Sequence, residues 1–152
     1  MKPPIAFAAT AITGIFLLFA AHAAAAPLIT DDEARRPDDT TVVPSRAITR
    51  GPTIRFEEHP ADPGAHTPFE FRIRVEPHGG ASIDPAGIRV IYLKVPAVDL
   101  TDRLRPYITA QGIDMPAAEA PAGQHPLRIE VRDSDGHVSQ TVIRLEVAPP
   151  PP

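Results

Sequence analysis

Five histidines lie beyond the N-terminal apolar block, at His59, His66, His78, His125 and His137, and imidazole is the commonest protein ligand for copper and zinc. No two of them stand at helical i, i+4 spacing or as H-x-H on a strand, so none forms a ligand set by spacing alone. Cysteine is absent and Met115 is the only methionine after Met1, which removes the sulfur donors as well. Calcium is the next chemistry, through Asp133 and Asp135 with Asp62. A calcium site takes six or more oxygens, whereas Asp133-Ser134-Asp135-Gly136 offers two carboxylates whose local duty is Asx hydrogen bonding before a glycine of positive φ. Ser45, Ser82, Ser134 and Ser139 have no G-x-S-x-G context, and Asp84 before Pro85 is turn chemistry. The sequence therefore assigns no catalytic, cofactor-binding or metal-binding residue, and the chain is read as no enzyme and without a cofactor. A small periplasmic metal-handling protein for copper or zinc is the alternative reading.

Composition narrows the partners. The 152 residues carry 20 prolines and a formal net charge of −4, and the basic residues are almost all arginines spaced among acids. Nucleic acid and anionic membranes need a concentrated basic face, so neither is expected. Proline at this density disfavours a helical bundle and suits a loop-rich β protein. With no cysteine there is neither a disulfide nor a lipid-accepting thiol, and stability has to come from packing.

The elements that would position any site follow from the chain in order. Residues 1–23 pair a lysine at position 2 with an apolar block and an Ala21-His22-Ala23 exit, the pattern of a cleaved secretory signal peptide. The mature chain is then expected in the periplasm or outside the cell, with no stable membrane span. Residues 24–46 are rich in acids, arginine and proline, which predicts a flexible leader. Residues 47–148 form the domain and 149–152 a polyproline tail. Within the domain, residues 53–57 give a first strand. Residues 67–76 alternate strictly, with Phe69, Phe71, Ile73 and Val75 inward, and their burial is worth about 6–12 kcal/mol before ordering entropy. Residues 107–115 hold two short strand fragments about Gln111-Gly112, and residues 116–123 read as a Pro/Ala loop. The last two strands flank the turn at Asp133, with His125, Leu127, Ile129 and Val131 answering Thr141, Ile143, Leu145 and Val147 across it.

One strand breaks the alternation. In residues 88–94, Val90 and Tyr92 take one face, but Ile91 and Leu93 make the other face apolar as well. Such a strand is covered twice or displays an apolar patch. A short helical turn after it places Leu100 and Leu104 at i, i+4, ends before Pro106, and is expected to fold back over Ile91 and Leu93. The candidate partner surface is thus Ile91, Leu93, Leu100, Leu104 and Tyr107, with Arg128 and Arg132 at its rim. A glycan partner is disfavoured because tryptophan is absent and Tyr92 and Tyr107 are the only tyrosines, which leaves another envelope protein as the expected partner.

Three motifs, in order, carry a resemblance. They are Ile83-Asp84-Pro85-Ala86-Gly87-Ile88-Arg89-Val90, then Gly123-Gln124-His125-Pro126-Leu127-Arg128-Ile129, then Asp133-Ser134-Asp135-Gly136-His137. Together they resemble the bacterial immunoglobulin-like (fibronectin-III-like) modules of exported proteins: a D-P element before a central strand, a G-x-aromatic opening of the penultimate strand, and D-x-x-G closing it. The resemblance implies an all-β, single antiparallel immunoglobulin-like sandwich with one short helical turn, and a non-catalytic binding or structural role. Two departures mark this chain. His125 stands where the family has an aromatic residue, and the segment from Pro96 to Pro106 is longer and more helical than a plain hairpin link.

Overall fold

A computed structural model describes residues 25–41, 50–57 and 66–150 of the protein. The expected signal peptide and the turn at residues 59–64 lie outside the described residues, as do Ser45 and His59. The elements in chain order are β1 (Ala26–Pro27), α1 (Asp31–Ala34), β2 (Thr53–Glu57), β3 (Phe69–Glu76), β4 (Ile83–Tyr92), β5 (Val98–Asp99), α2 (Thr101–Leu104), a 3₁₀ turn (Arg105–Tyr107), β6 (Ile108–Thr109), β7 (Gly112–Glu119), β8 (Gly123–Asp133) and β9 (Val138–Val147).

Two sheets face each other. One runs β1-β7-β3-β2 with β6 also on β7, and the other runs β5-β4-β8-β9. Every pairing is antiparallel except β1 with β7, which is parallel. Consecutive strands change sheet between β3 and β4, between β5 and β6, and between β7 and β8, so β2, β3 and β7 lie opposite β4, β8 and β9. The structure is thus an all-β sandwich of two sheets with one short helical turn between β5 and β6.

Alternation decides what each strand buries. Phe69, Phe71, Ile73 and Val75 of β3 point inward and are at most 8% exposed, as their spacing predicts. Opposite them lie Ile88, Val90 and Tyr92 of β4 and Leu127, Ile129 and Val131 of β8, all fully buried. The β6–β7 turn requires a glycine: Gly112 has φ +128°, and a Cβ there would sit 1.9 Å from the Ile73 carbonyl oxygen. The expected Pro/Ala loop at 116–123 is instead largely strand, since β7 runs on through Pro116 to Glu119. Its proline is accommodated because the register with β3 shifts there, Met115 facing Phe71 but Ala118 facing Phe69.

The start of β8 accounts for the departure at His125. This imidazole is 3% exposed, with Nε2 2.8 Å from the Pro121 carbonyl oxygen and Nδ1 2.8 Å from the Tyr92 hydroxyl. A carbonyl only accepts, so Nε2–H donates to Pro121 and Nδ1 accepts from Tyr92, which fixes the neutral tautomer. Burial pushes the His125 pKa down. The sign follows directly: the contribution is complete above the unfolded histidine value and is lost as pH falls from there through the lower folded value. His125→Leu leaves the Tyr92 hydroxyl and Pro121 carbonyl unpaired, and is expected to cost about 1–3 kcal/mol in urea unfolding at neutral pH. An unchanged midpoint would show that the hydrogen-bonded imidazole contributes nothing.

The largest correction concerns the leader. Residues 26–41 are ordered parts of the fold: Leu28 is 0% and Ile29 2% exposed, and both belong to the core. The amides of Leu28 and Ile29 donate to the Glu119 carbonyl at the edge of β7. Composition predicted flexibility because acids and arginines dominate the segment, but its two consecutive large aliphatic residues fill the sandwich edge.

Candidate functional site

The expected partner surface divides in two. Leu100 and Leu104 are 0% exposed and Leu93 is 3% exposed, so these three are interior and not a docking surface. Tyr107 is half-buried and packs against the same core. Ile91 and Arg128 are half-buried and directly opposite in register, and Arg132 is exposed on the same outer face of the β4-β8-β9 sheet. The helical turn does not fold over Ile91 as expected: it bonds to the edge of β4 at Val90, and its leucines enter the sandwich while Ile91 stays on the outside.

The chain's own N-terminal segment lies against the stretch that follows β4, from Leu93 to Val95. Pro126 has no N–H, so although its carbonyl accepts from the Leu93 amide, it donates nothing in return. The Leu93 carbonyl accepts from the Asp39 amide instead, and the Val95 amide donates to the Pro37 carbonyl. Nearby, Lys94 is 6% exposed, with Nζ 2.6 Å from Asp38 and 3.0 Å from the Ala34 carbonyl oxygen. Burial opposes its charge, but the Asp38 carboxylate prevails and the pKa is raised.

A second attachment joins α1 to α2. Glu33 accepts from both terminal nitrogens of Arg103 at 2.6 and 2.8 Å, and Arg103 also donates to the Leu28 carbonyl. Thr30 and Glu33 form a reciprocal capping box at the start of α1. The Arg103 guanidinium holds the Glu33 pKa down to about 2, against the opposing effect of burial. Sequence reasoning missed this pair because its members are seventy positions apart. The one local signal was Thr30 three residues before Glu33, a capping box in a segment otherwise read as unstructured.

The chemistry-bearing residues are dispersed. Asp133 spends its carboxylate on its own turn, accepting from the amides of Asp135 and His137 and lying 3.2 Å from the His137 ring. Burial opposes its ionisation, yet these partners keep its pKa below the usual carboxylate range. His78 bonds to Thr53 on the surface, and His125 is buried at the start of β8. Among the described residues no group of three or more His, Cys, Asp or Glu side chains is placed to hold a metal ion, and no helix is long and apolar enough to cross a membrane.

The outer faces of the two sheets differ in charge pairing. On the β3 side, Arg72 lies between Glu57, Glu70 and Asp114, Arg74 pairs with Glu57, and Arg55 with Glu76. On the β8 side, Arg128 pairs with Glu130 at 2.9 Å, while Arg89, Arg132 and Arg144 form no ion pair with any described residue. The register places Arg89 beside Glu130 and Gln140, and Ile91 beside Arg128 and Val142. This face presents two half-buried aliphatic side chains, Ile91 and Val142, on either side of the Glu130-paired Arg128, with Arg89 and Arg144, which pair with no described carboxylate, two residues along β4 and β9. Arg89 also borders a shallow cleft with Pro85, Ile88, Thr101, Arg105 and Ile108. No protein-family model matches this chain, and neither a curated protein nor a solved structure matches it.

Proposed function

We propose that this is an exported, non-catalytic binding or structural accessory module that contacts another envelope protein through the outer face of the β4-β8-β9 sheet. The observation that carries the reading is the charge asymmetry: the β3-side face neutralises itself, and the β8-side face leaves Arg89 and Arg132, on the same face as Ile91, without an ion pair to any described residue. Aliphatic side chains sharing a face with such arginines suit a protein surface with carboxylates at matching positions, because opposite charge guides encounter and apolar burial supplies affinity. The sandwich strand order agrees with the resemblance to immunoglobulin-like modules, and the apolar N-terminal block with small residues after it supports export.

Cross-linking in the native envelope, followed by mass spectrometry, tests the reading. The wild-type chain is expected to capture an acidic envelope protein, and the Arg89→Glu/Arg132→Glu variant to lose it while keeping the wild-type melting temperature. Capture that survives the double reversal would place the contact elsewhere on the molecule.

A further inference from the structure

Strand β9 ends its sheet, and among the described residues no strand pairs with its outer edge. The direction of its backbone groups follows from β4. The Val90 amide donates to Thr101 Oγ1 and its carbonyl accepts from Leu100, so Val90 is turned away from β8. In an antiparallel pair both polar groups of a residue point the same way and neighbours alternate. Through the register, Ile129 is then turned toward β9, and Thr141, Ile143 and Leu145 bond to β8. Gln140, Val142, Arg144 and Glu146 consequently direct their N–H and C=O groups outward.

Natural edges are usually blunted by lysine, proline, a bulge or shortness. Strand β9 is ten residues long, contains no lysine, proline or glycine, and keeps an unbroken register with β8. Its two charged residues, Arg144 and Glu146, are exposed and have no ion pair with any described residue.

We infer that β9 pairs with β9 of a second copy of this chain, antiparallel about a two-fold axis through Leu145, so that the sheet continues across a homodimer. The charges select this register. With the axis at Leu145, Arg144 of each copy faces Glu146 of the other, giving two symmetric ion pairs. Moving the axis one residue sets Arg144 against Arg144 or Glu146 against Glu146, and moving it two or three residues toward the turn leaves both charges without a partner. The same register brings Val142 opposite Ala148 and ends where Pro150, which has no N–H to donate, reaches Gln140. It avoids the other end of β9, where Gly51 lies against Val138 and Ser139. The contact is isologous and closes at two copies.

The dimer is independent of any acidic partner, and its readout is mass. Sedimentation equilibrium at about 100 μM is expected to give twice the monomer mass. Arg144→Glu and Glu146→Arg should each weaken association by about tenfold or more, and the double exchange Arg144→Glu/Glu146→Arg should restore it. Val142→Pro, which removes an outward N–H that β8 does not use, should also give monomer with the fold retained by circular dichroism. Arg89→Glu, two strands away on the same face, should leave the mass unchanged. A monomer at that concentration, or a dimer indifferent to both single reversals, overturns the proposal.

Discussion

Leu104→Asp is expected to yield no cooperatively folded protein, and Leu104→Ala to lower stability by about 2–4 kcal/mol in urea unfolding followed by circular dichroism. Leu104 is fully buried, as is Leu100 one helical turn before it, and both belong to the core cluster with Val90 and Tyr92. An aspartate there has no partner for its charge, so its desolvation is uncompensated. Alanine removes the apolar contacts and leaves a cavity between elements that cannot close it, because α2 is tied to β4 through Thr101 Oγ1 and Leu100 N. A folded Leu104→Asp protein with a near wild-type midpoint would return this segment to the surface and revive it as a docking site.

The second large effect is expected at Glu33. Glu33→Gln and Arg103→Met should each cost about 2 kcal/mol, and the double variant little more than either, since both remove the same interaction. Lowering the Glu33 pKa from 4.5 to about 2 corresponds to about 3 kcal/mol, and the figure is reduced because the Arg103 side chain is 35% exposed and partly screened by water. The pH window follows from the sign of the shift. A carboxylate with a depressed folded pKa stabilises fully above its unfolded value near 4.5, and that stability is lost as pH falls toward about 2. Acid unfolding of the wild type should therefore steepen below about pH 4.5, and Glu33→Gln should lack that component. Amide exchange at Leu28, Ile29 and Asp39 should rise in the variant, because those bonds hold the N-terminal segment to β7 and β4. If the midpoint and the exchange of these three amides are both unchanged, the Glu33–Arg103 pair does not fasten the segment.

These two predictions concern one region, and it is where sequence and structure part. The alternation in β3, β8 and β9 was legible because a strand shows its buried face by period two, and the inward residues of β3 and β8 lie where the pattern puts them. The turn at Asp133 was legible for the same kind of reason: Asx bonds and the positive φ of Gly136 are local. His125 was legible only as a departure from the family's aromatic residue, and its Tyr92 partner was not, since Tyr92 lies on a different strand.

The apolar second face of β4 and the polar N-terminal segment were read as separate matters, a face covered by the helical turn and a flexible leader. In the structure they belong together. Pro126 withholds an N–H from Leu93, Asp39 supplies one, and Leu28 and Ile29 enter the core beside the helical turn. Composition averages over a segment, and two aliphatic residues among many charges do not register in that average. Their worth depends on the cavity they meet, which is built from strands far away in sequence.

The sequence by itself determined β2, β3, β8 and β9, the inward faces of β3 and β8, and the final hairpin, because these rest on side-chain period and on turn chemistry confined to a few residues. Only the tertiary structure decided which apolar face stays open. It took Leu93, Leu100 and Leu104 inside, left Ile91 on the outer face opposite Arg128, and set Arg144 and Glu146 on an edge with which no described strand pairs. Exposure and charge pairing are set by what lies across from a residue, and its neighbours along the chain do not report that.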